Sequence, residues 1–212
     1  MEPSRIPIET ICYVPMGDSY TVGTGVAPED AFPNLLVDML HAEGFRIQLG
    51  PDPVAEPAAL SQDVLEKQVP LMRTMHPQFA TLLIGANDVN QGVSTDTFRV
   101  NFEQTLDDML SALPISKPLL IANIPNFLMT PVGRKASMAR KLQKEIVEYN
   151  YILQEEASTR NVPVIDFFTL SLDFTPADIG PDGLHPSPRG HKTFATAMFR
   201  PAVELLALPD ID

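Results

Sequence analysis

Short apolar runs alternate with longer amphipathic stretches along almost the whole chain, and this alternation restricts the fold more than any other feature. Residues 10–16 (TICYVPM), 45–49, 79–84 (FATLLI), 118–123 (PLLIAN) and 162–166 read as five strands. Between the first two, residues 30–43 place Phe32, Leu35, Leu36, Met39 and Leu40 on one helical face, with Gly44 as the stop. Ser61 caps a helix through Gln68, which Pro70 interrupts before the segment ends at His76-Pro77. Residues 95–113 repeat Phe98, Phe102, Leu106, Met109 and Leu113 at helical spacing. The longest helix runs from about Lys135 to Thr159, turning Leu142, Ile146, Tyr149, Leu153 and Ala157 inward. A last helix starts near Ser187, buries Phe194 and Met198, and is bent or ended by Pro201.

Parallel strands need long crossovers, and a helix is the usual one. The expectation is therefore one doubly wound α/β domain over residues 1–212, with a five-stranded parallel sheet. The chain has 212 residues, 44% of them hydrophobic, enough for a sizeable core. Its net charge of -12 repels phosphate backbones and anionic lipid, which argues against nucleic-acid and membrane-surface roles. A local patch of Arg134, Lys135, Arg140 and Lys141 offsets that repulsion for an anionic substrate. Cys12 is the only cysteine, so no internal disulfide or thiolate metal cluster forms. Residues 1–9 lack the basic and apolar regions of an export signal, and no apolar run has membrane-spanning length. The expectation is a cytoplasmic protein without integral membrane association.

In open parallel sheets, ligands bind beyond the carboxyl ends of the strands, and three polar clusters fall there. Gly17-Asp18-Ser19-Tyr20 follows the first strand, and Gly85-Ala86-Asn87-Asp88 follows the third. Asp182-Gly183-Leu184-His185-Pro186 lies in the connection after the fifth. A serine hydroxyl is a weak nucleophile until a base takes its proton, and that base needs a partner to orient its ring. Ser19, His185 and Asp182 have the chemistry for those roles, and Asn87 carries a side-chain amide suited to stabilising an oxyanion. Each cluster also has a plain structural reading: a loop serine, a helix cap at Asn87, or a Pro-Asp-Gly turn. Asp182, His185 and His191 can be drawn as a metal site, but their spacing matches no familiar zinc arrangement, so no metal is expected. Residues 17–25 lack the Gly-Lys-Ser/Thr ending that grips phosphate. His41 and His76 read as structural.

Taken together, GDSY at 17–20, GAND at 85–88 and DGLHP at 182–186 resemble the SGNH, or GDSL-type, hydrolase family in order and placement along essentially the whole chain. The resemblance implies a flavodoxin-like three-layer α/β/α sandwich and ester hydrolysis without metal or organic cofactor. It implies Ser19 as nucleophile, His185 as general base and later acid, and Asp182 as the group that orients His185. It also implies an oxyanion hole formed by the Ser19 N–H, the Asn87 amide and a backbone N–H from the family's second motif. That motif supplies a glycine. With residues 61–65 as the anchor, Ala58 occupies its place. An alanine keeps the N–H, but its Cβ excludes some backbone angles, and a misdirected donor would forfeit about 3 kcal/mol of transition-state stabilisation.

The leading expectation is a serine esterase acting on small acyl esters, with residues 125–133 (Phe127, Leu128, Met129, Val132) as a candidate wall of the acyl pocket. A lysophospholipase or acyl-thioesterase is the nearest alternative. Carbohydrate deacetylation is another, although the chain has no tryptophan to stack on a sugar. From a different class, the Ala58 departure raises a catalytically weakened ligand-binding module with the same fold.

Overall fold

In the computed structural model the described residues are 10–114, 116, 118–135 and 139–207. Five strands, β1 (Ile11–Gly17), β2 (Ile47–Leu49), β3 (Phe79–Leu83), β4 (Leu119–Ala122) and β5 (Val164–Ile165), form one parallel sheet in the order β2-β1-β3-β4-β5. The chain starts near the middle, adds β2 on one side, then crosses back to lay β3, β4 and β5 on the other. The switch in direction lies at β1 and β3, and a ligand crevice is expected beyond their carboxyl ends.

Side chains alternate between the two faces of each strand, so both faces are buried. Val14, Met16, Ala80, Leu82, Leu119 and Ile121 pack on α6 (Thr95–Ala112) and α7 (Ala139–Thr159) through Phe98, Phe102, Met109, Tyr149 and Leu153. Tyr13, Phe79, Leu83, Leu120 and Ala122 pack on α2 (Phe32–Ala42) and α9 (Pro188–Leu206) through Phe32, Leu36, Leu40, Phe194 and Met198. This is a flavodoxin-like three-layer α/β/α sandwich. Among the described residues, no helix is long and apolar enough to cross a membrane. Residues 1–9, on which the cytoplasmic expectation rested, and residues 136–138 of the expected long helix lie outside the described residues. Lys135 itself sits in a short 3-10 turn, Gly133–Lys135, and the side chain of Arg140 is likewise outside the description.

The proline expectations need correction where they ended or interrupted a helix. Pro201 does not end the last helix: α9 runs through it to Leu206, and Ala202 and Leu206 beyond it are buried. That burial offsets the one backbone hydrogen bond that proline removes. Pro70 does not interrupt its segment either. The helical path continues from α3 (Ser61–Asp63) through a wide π turn, Val64–Gln68, into α4 (Val69–Thr74). The Val69 N–H bonds the Val64 carbonyl five residues back, and the widened turn makes room for the Pro70 ring. Ser61 is not the cap but the first helical residue, and its side chain is used elsewhere. The second helix starts at Phe32, because Pro28–Asp30 forms a separate 3-10 turn. Three short helices fall outside the sequence expectation: α1 (Ser19–Val22), α5 (Ala86–Gln91) and α8 (Phe167–Leu172).

Candidate active site

β1 ends at Gly17, where φ is 138°, and a Cβ there would lie 2.1 Å from the Leu83 carbonyl oxygen of the adjacent strand. Only glycine fits so close to β3. Gln68, the buried last residue of the π turn, clasps this residue: the Gly17 N–H donates to its Oε1 at 2.9 Å and its Nε2 donates to the Gly17 carbonyl at 2.8 Å. Asp18 then caps α1, its Oδ1 accepting from the Tyr20 N–H at 3.0 Å. Ser19 is thereby the first residue of a helical turn, with an N–H that the helix leaves unpaired.

From the other end of the chain, a tight loop delivers His185. The Gly180 N–H donates to the His185 carbonyl at 2.7 Å, and Ile179 and Pro186 form an antiparallel bridge. Inside this loop Asp182 Oδ1 accepts from the Leu184 and His185 N–H groups at 2.9 and 3.0 Å. Its Oδ2 lies 2.6 Å from His185 Nδ1, and His185 Nε2 lies 2.9 Å from Ser19 Oγ. Burial pushes the Asp182 carboxyl up, but the hydrogen bonds from the His185 ring and the two N–H groups outweigh it and hold the group below the usual carboxylate range. The carboxylate thus stays charged beside a ring that can take up a proton. Tyr20 packs edge-on against that ring, with centroids 5.7 Å apart.

The third cluster begins at Gly85, with φ at 116°, where a Cβ would lie 2.7 Å from Ile124 Cδ1. This turn places Asn87 in the first turn of α5, beside Ser19 in one cavity of about 350 Å³. Asn87 Nδ2 donates to the Ala59 carbonyl at 3.1 Å and lies 3.4 Å from Asp18 Oδ2. The second bond is the longer and weaker of the two, so its N–H is the one more easily redirected to an oxyanion. Ala58 lines the same cavity with φ at 61°, the left-handed conformation a glycine would take without strain. The Ala58 N–H has no partner among the described residues.

Two buried carboxyls lie behind this arrangement. Burial pushes Asp18 up to about 7; the Tyr20 N–H opposes the rise, and the nearby Asp88 adds to it. Asp88 accepts from both the N–H and the hydroxyl of Ser61, the latter at 2.5 Å. The Ser61 hydroxyl in turn accepts from Asn101 Nδ2 at 3.1 Å. Together with the Asn87–Ala59 bond, this network ties the Ala58 loop to the Asn87 turn.

The structure therefore brings Ser19, Asp182, His185, Asn87 and Ala58 to one place. His191 is not among them: it is buried, its Nδ1 accepts from the Phe32 N–H at 3.3 Å, and its ring stacks on Phe32. No group of three or more His, Cys, Asp or Glu side chains among the described residues could hold a metal ion. Of the apolar loop residues, Phe127 and Val132 line the Ser19 cavity, joined by Leu142 and Leu184. Leu128 is buried in the sheet-side core and Met129 faces a different cavity, because the 3-10 turn Phe127–Met129 sends successive side chains in different directions. Tyr20, Gln68 and Ser61 carried no functional assignment in the sequence reading. The only local sign was the position of Tyr20 beside Ser19.

The model of the GDSL-like Lipase/Acylhydrolase family matches residues 16–193. No curated protein matches the chain. Among solved structures, the family 3 carbohydrate esterase of Clostridium thermocellum superposes with a TM-score of 0.74 at 20% identity, covering 93% of this chain and 98% of that one. The lipase/acylhydrolase of Enterococcus faecalis gives 0.72 at 22% identity, over 95% and 100%. A variant of Axe2, an acetyl xylan esterase from Geobacillus stearothermophilus, gives 0.69 at 18%, over 91% and 94%. At these identities the structures speak for the fold, while the family match covers most of the sequence. The chain belongs to the GDSL-like lipase/acylhydrolase family and is a carboxylic ester hydrolase.

Proposed function

We propose that the chain hydrolyses esters of small acyl groups through an acyl-serine intermediate on Ser19. The observation that carries this reading is the continuous relay from Asp182 Oδ2 through the His185 ring to Ser19 Oγ, with steps of 2.6 and 2.9 Å. His185 Nε2 takes the hydroxyl proton as Oγ attacks the ester carbonyl carbon. The carbonyl oxygen becomes an oxyanion, held by the N–H groups of Ser19 and Ala58 and by Asn87 Nδ2. Collapse of this intermediate breaks the bond to the alkoxy oxygen, which leaves as an alcohol after accepting the proton from His185. Water then attacks the acyl-serine, losing its proton to His185, and the acid departs as Ser19 recovers its hydrogen. The apolar walls at Phe127, Val132, Leu142 and Leu184 suit an acyl chain. The unpaired Ala58 N–H supports a working oxyanion hole rather than a weakened binding module.

Fluorophosphonate labelling of the wild type, lost in Ser19→Ala, tests the nucleophile. p-Nitrophenyl esters of increasing chain length with matched thioesters then test the substrate class. Labelling that persists in Ser19→Ala, or a wild type that neither labels nor turns over any ester, overturns the proposal. Turnover confined to thioesters would assign the site to the acyl-thioesterase alternative.

A further inference from the structure

A second cavity, of about 80 Å³, adjoins the one that holds Ser19, and Tyr20, Phe127 and Leu184 line both. Its position relative to the reacting bond follows from the chemistry. A histidine that protonates the leaving oxygen must lie on the alcohol side of the scissile ester. Leu184 and Pro186, the chain neighbours of His185, line the second cavity, and so does Tyr20, packed against the His185 ring. Ser19, Ala58, Asn87 and His185 line only the first cavity, and Pro186, next to His185, lines only the second. The second cavity thus meets the first at Tyr20 and Leu184, beside His185, which is where the alcohol side lies.

Most of its wall is apolar, including Met129, Phe174 and Ile179. Besides Tyr20, its polar side chains are Asn126, Thr130, Arg134, Ser171 and Thr175. The hydroxyls of Thr130, Ser171 and Thr175 already donate to the Phe127 and Phe168 carbonyls and to Asp178 Oδ2, and Arg134 is a cation, so Asn126 is the one with a buried acceptor to offer. It is 3% exposed, and its Nδ2 donates to Gln143 Oε1 at 3.3 Å. Its Oδ1 is buried with no hydrogen-bond partner among the described residues. A buried acceptor left unpaired in an apolar lining is stabilised by any ligand that brings a donor to it. By this measure of volume one water needs roughly 10–15 Å³, so the cavity holds a group of about five to eight heavy atoms.

We propose that this cavity is the alcohol-side subsite, and that it takes a short aliphatic alkoxy group whose far hydroxyl donates to Asn126 Oδ1. The preferred substrates are then monoesters of small diols. The alkoxy chain leaves the ester oxygen beside His185 Nε2 and passes between Tyr20 and Leu184. The assignment rests on the esterase reading of Ser19.

The test compares kcat/KM for methyl, n-butyl and 4-hydroxybutyl acetate, with a parallel series of methyl esters of lengthening acyl chain. In the wild type, butyl should exceed methyl at least ten-fold from methylene burial, and 4-hydroxybutyl should exceed butyl about five-fold from one added hydrogen bond. Met129 is 38% exposed, so Met129→Trp can fill the cavity from its rim, and it should bring the butyl-to-methyl ratio close to one. Asn126→Leu should abolish the hydroxybutyl-to-butyl advantage while butyl still exceeds methyl. Ratios within one variant do not depend on how much of it is folded. If Met129→Trp shifts the acyl series instead, or shifts neither ratio, the subsite assignment is overturned although the esterase stands. If the wild type hydrolyses none of these esters and does not label with a fluorophosphonate, the esterase reading itself falls and the subsite falls with it.

Discussion

Replacing Ala58 by glycine separates backbone strain from side-chain packing at the oxyanion loop. Ala58 is exposed and holds φ at 61°, so its Cβ costs conformational energy and contributes little burial. The left-handed region costs an L-residue roughly 1–2 kcal/mol. The greater freedom of glycine in the unfolded chain returns about 0.4–1 kcal/mol of that gain. The net expectation for Ala58→Gly is a stabilisation of about 0.5–1 kcal/mol. In a chain of this length that raises Tm by roughly 1–4 °C. Ala59 next door is the control: it is 4% exposed and lacks a positive φ. Ala59→Gly loses a buried methyl worth about 0.8 kcal/mol and adds the same unfolded-state freedom, so it should destabilise by about 1–2 kcal/mol. Thermal melts with urea titrations of both variants read the two signs directly. An Ala58→Gly protein that melts at or below the wild type refutes the strain argument. Because the N–H is retained, its ester turnover should stay within about three-fold of wild type. A much larger rise would show that the Cβ had been misdirecting the donor.

Asn87→Ala should lower kcat about 10²–10³-fold with little change in KM, since an oxyanion donor acts only once charge develops; ester kinetics with a melt to check the Ala59 contact reads this. Asp182→Asn should lower kcat roughly 10³–10⁴-fold while circular dichroism stays native, because the ring loses the partner that sets its tautomer. Asp18 predicts a pH effect on stability. The folded chain keeps its proton until about pH 7, whereas an unfolded aspartate releases it near pH 4. The stability conferred by the neutral carboxyl is thus complete below about pH 4 and lost as pH rises to about 7, at roughly 1.4 kcal/mol per unit. Between pH 5 and 7, wild type should lose about 2–3 kcal/mol relative to Asp18→Asn in urea unfolding, and parallel profiles would refute this.

The strands were readable because their signal is local. Residues 79–84 and 118–123 are apolar runs, and β3 and β4 are buried on both faces. Element ends were less readable, because they depend on neighbours. β5 shortens to Val164–Ile165 because Pro163 has no N–H to offer the ladder and Asp166 falls past the end of β4 at Ala122, and Pro201 is overridden by burial further along its helix. The residue types needed for a hydrolase were also readable, because Ser19, Asn87, Asp182 and His185 sit in short motifs at expected strand ends.

What the sequence determined by itself was therefore the alternation of elements and the chemical menu at the strand ends, since both depend on residues a few positions apart. Tertiary structure alone decided the rest. Ser19 and His185 are 166 positions apart, and only the sheet order closes that gap to 2.9 Å. The left-handed angle of Ala58, the clasp of Gln68 on Gly17 and the unpaired Asn126 Oδ1 have no local signature, because each is set by what a distant segment packs against it. Burial and hydrogen-bond satisfaction are properties of the folded whole, and here they arrange the side chains of the candidate site.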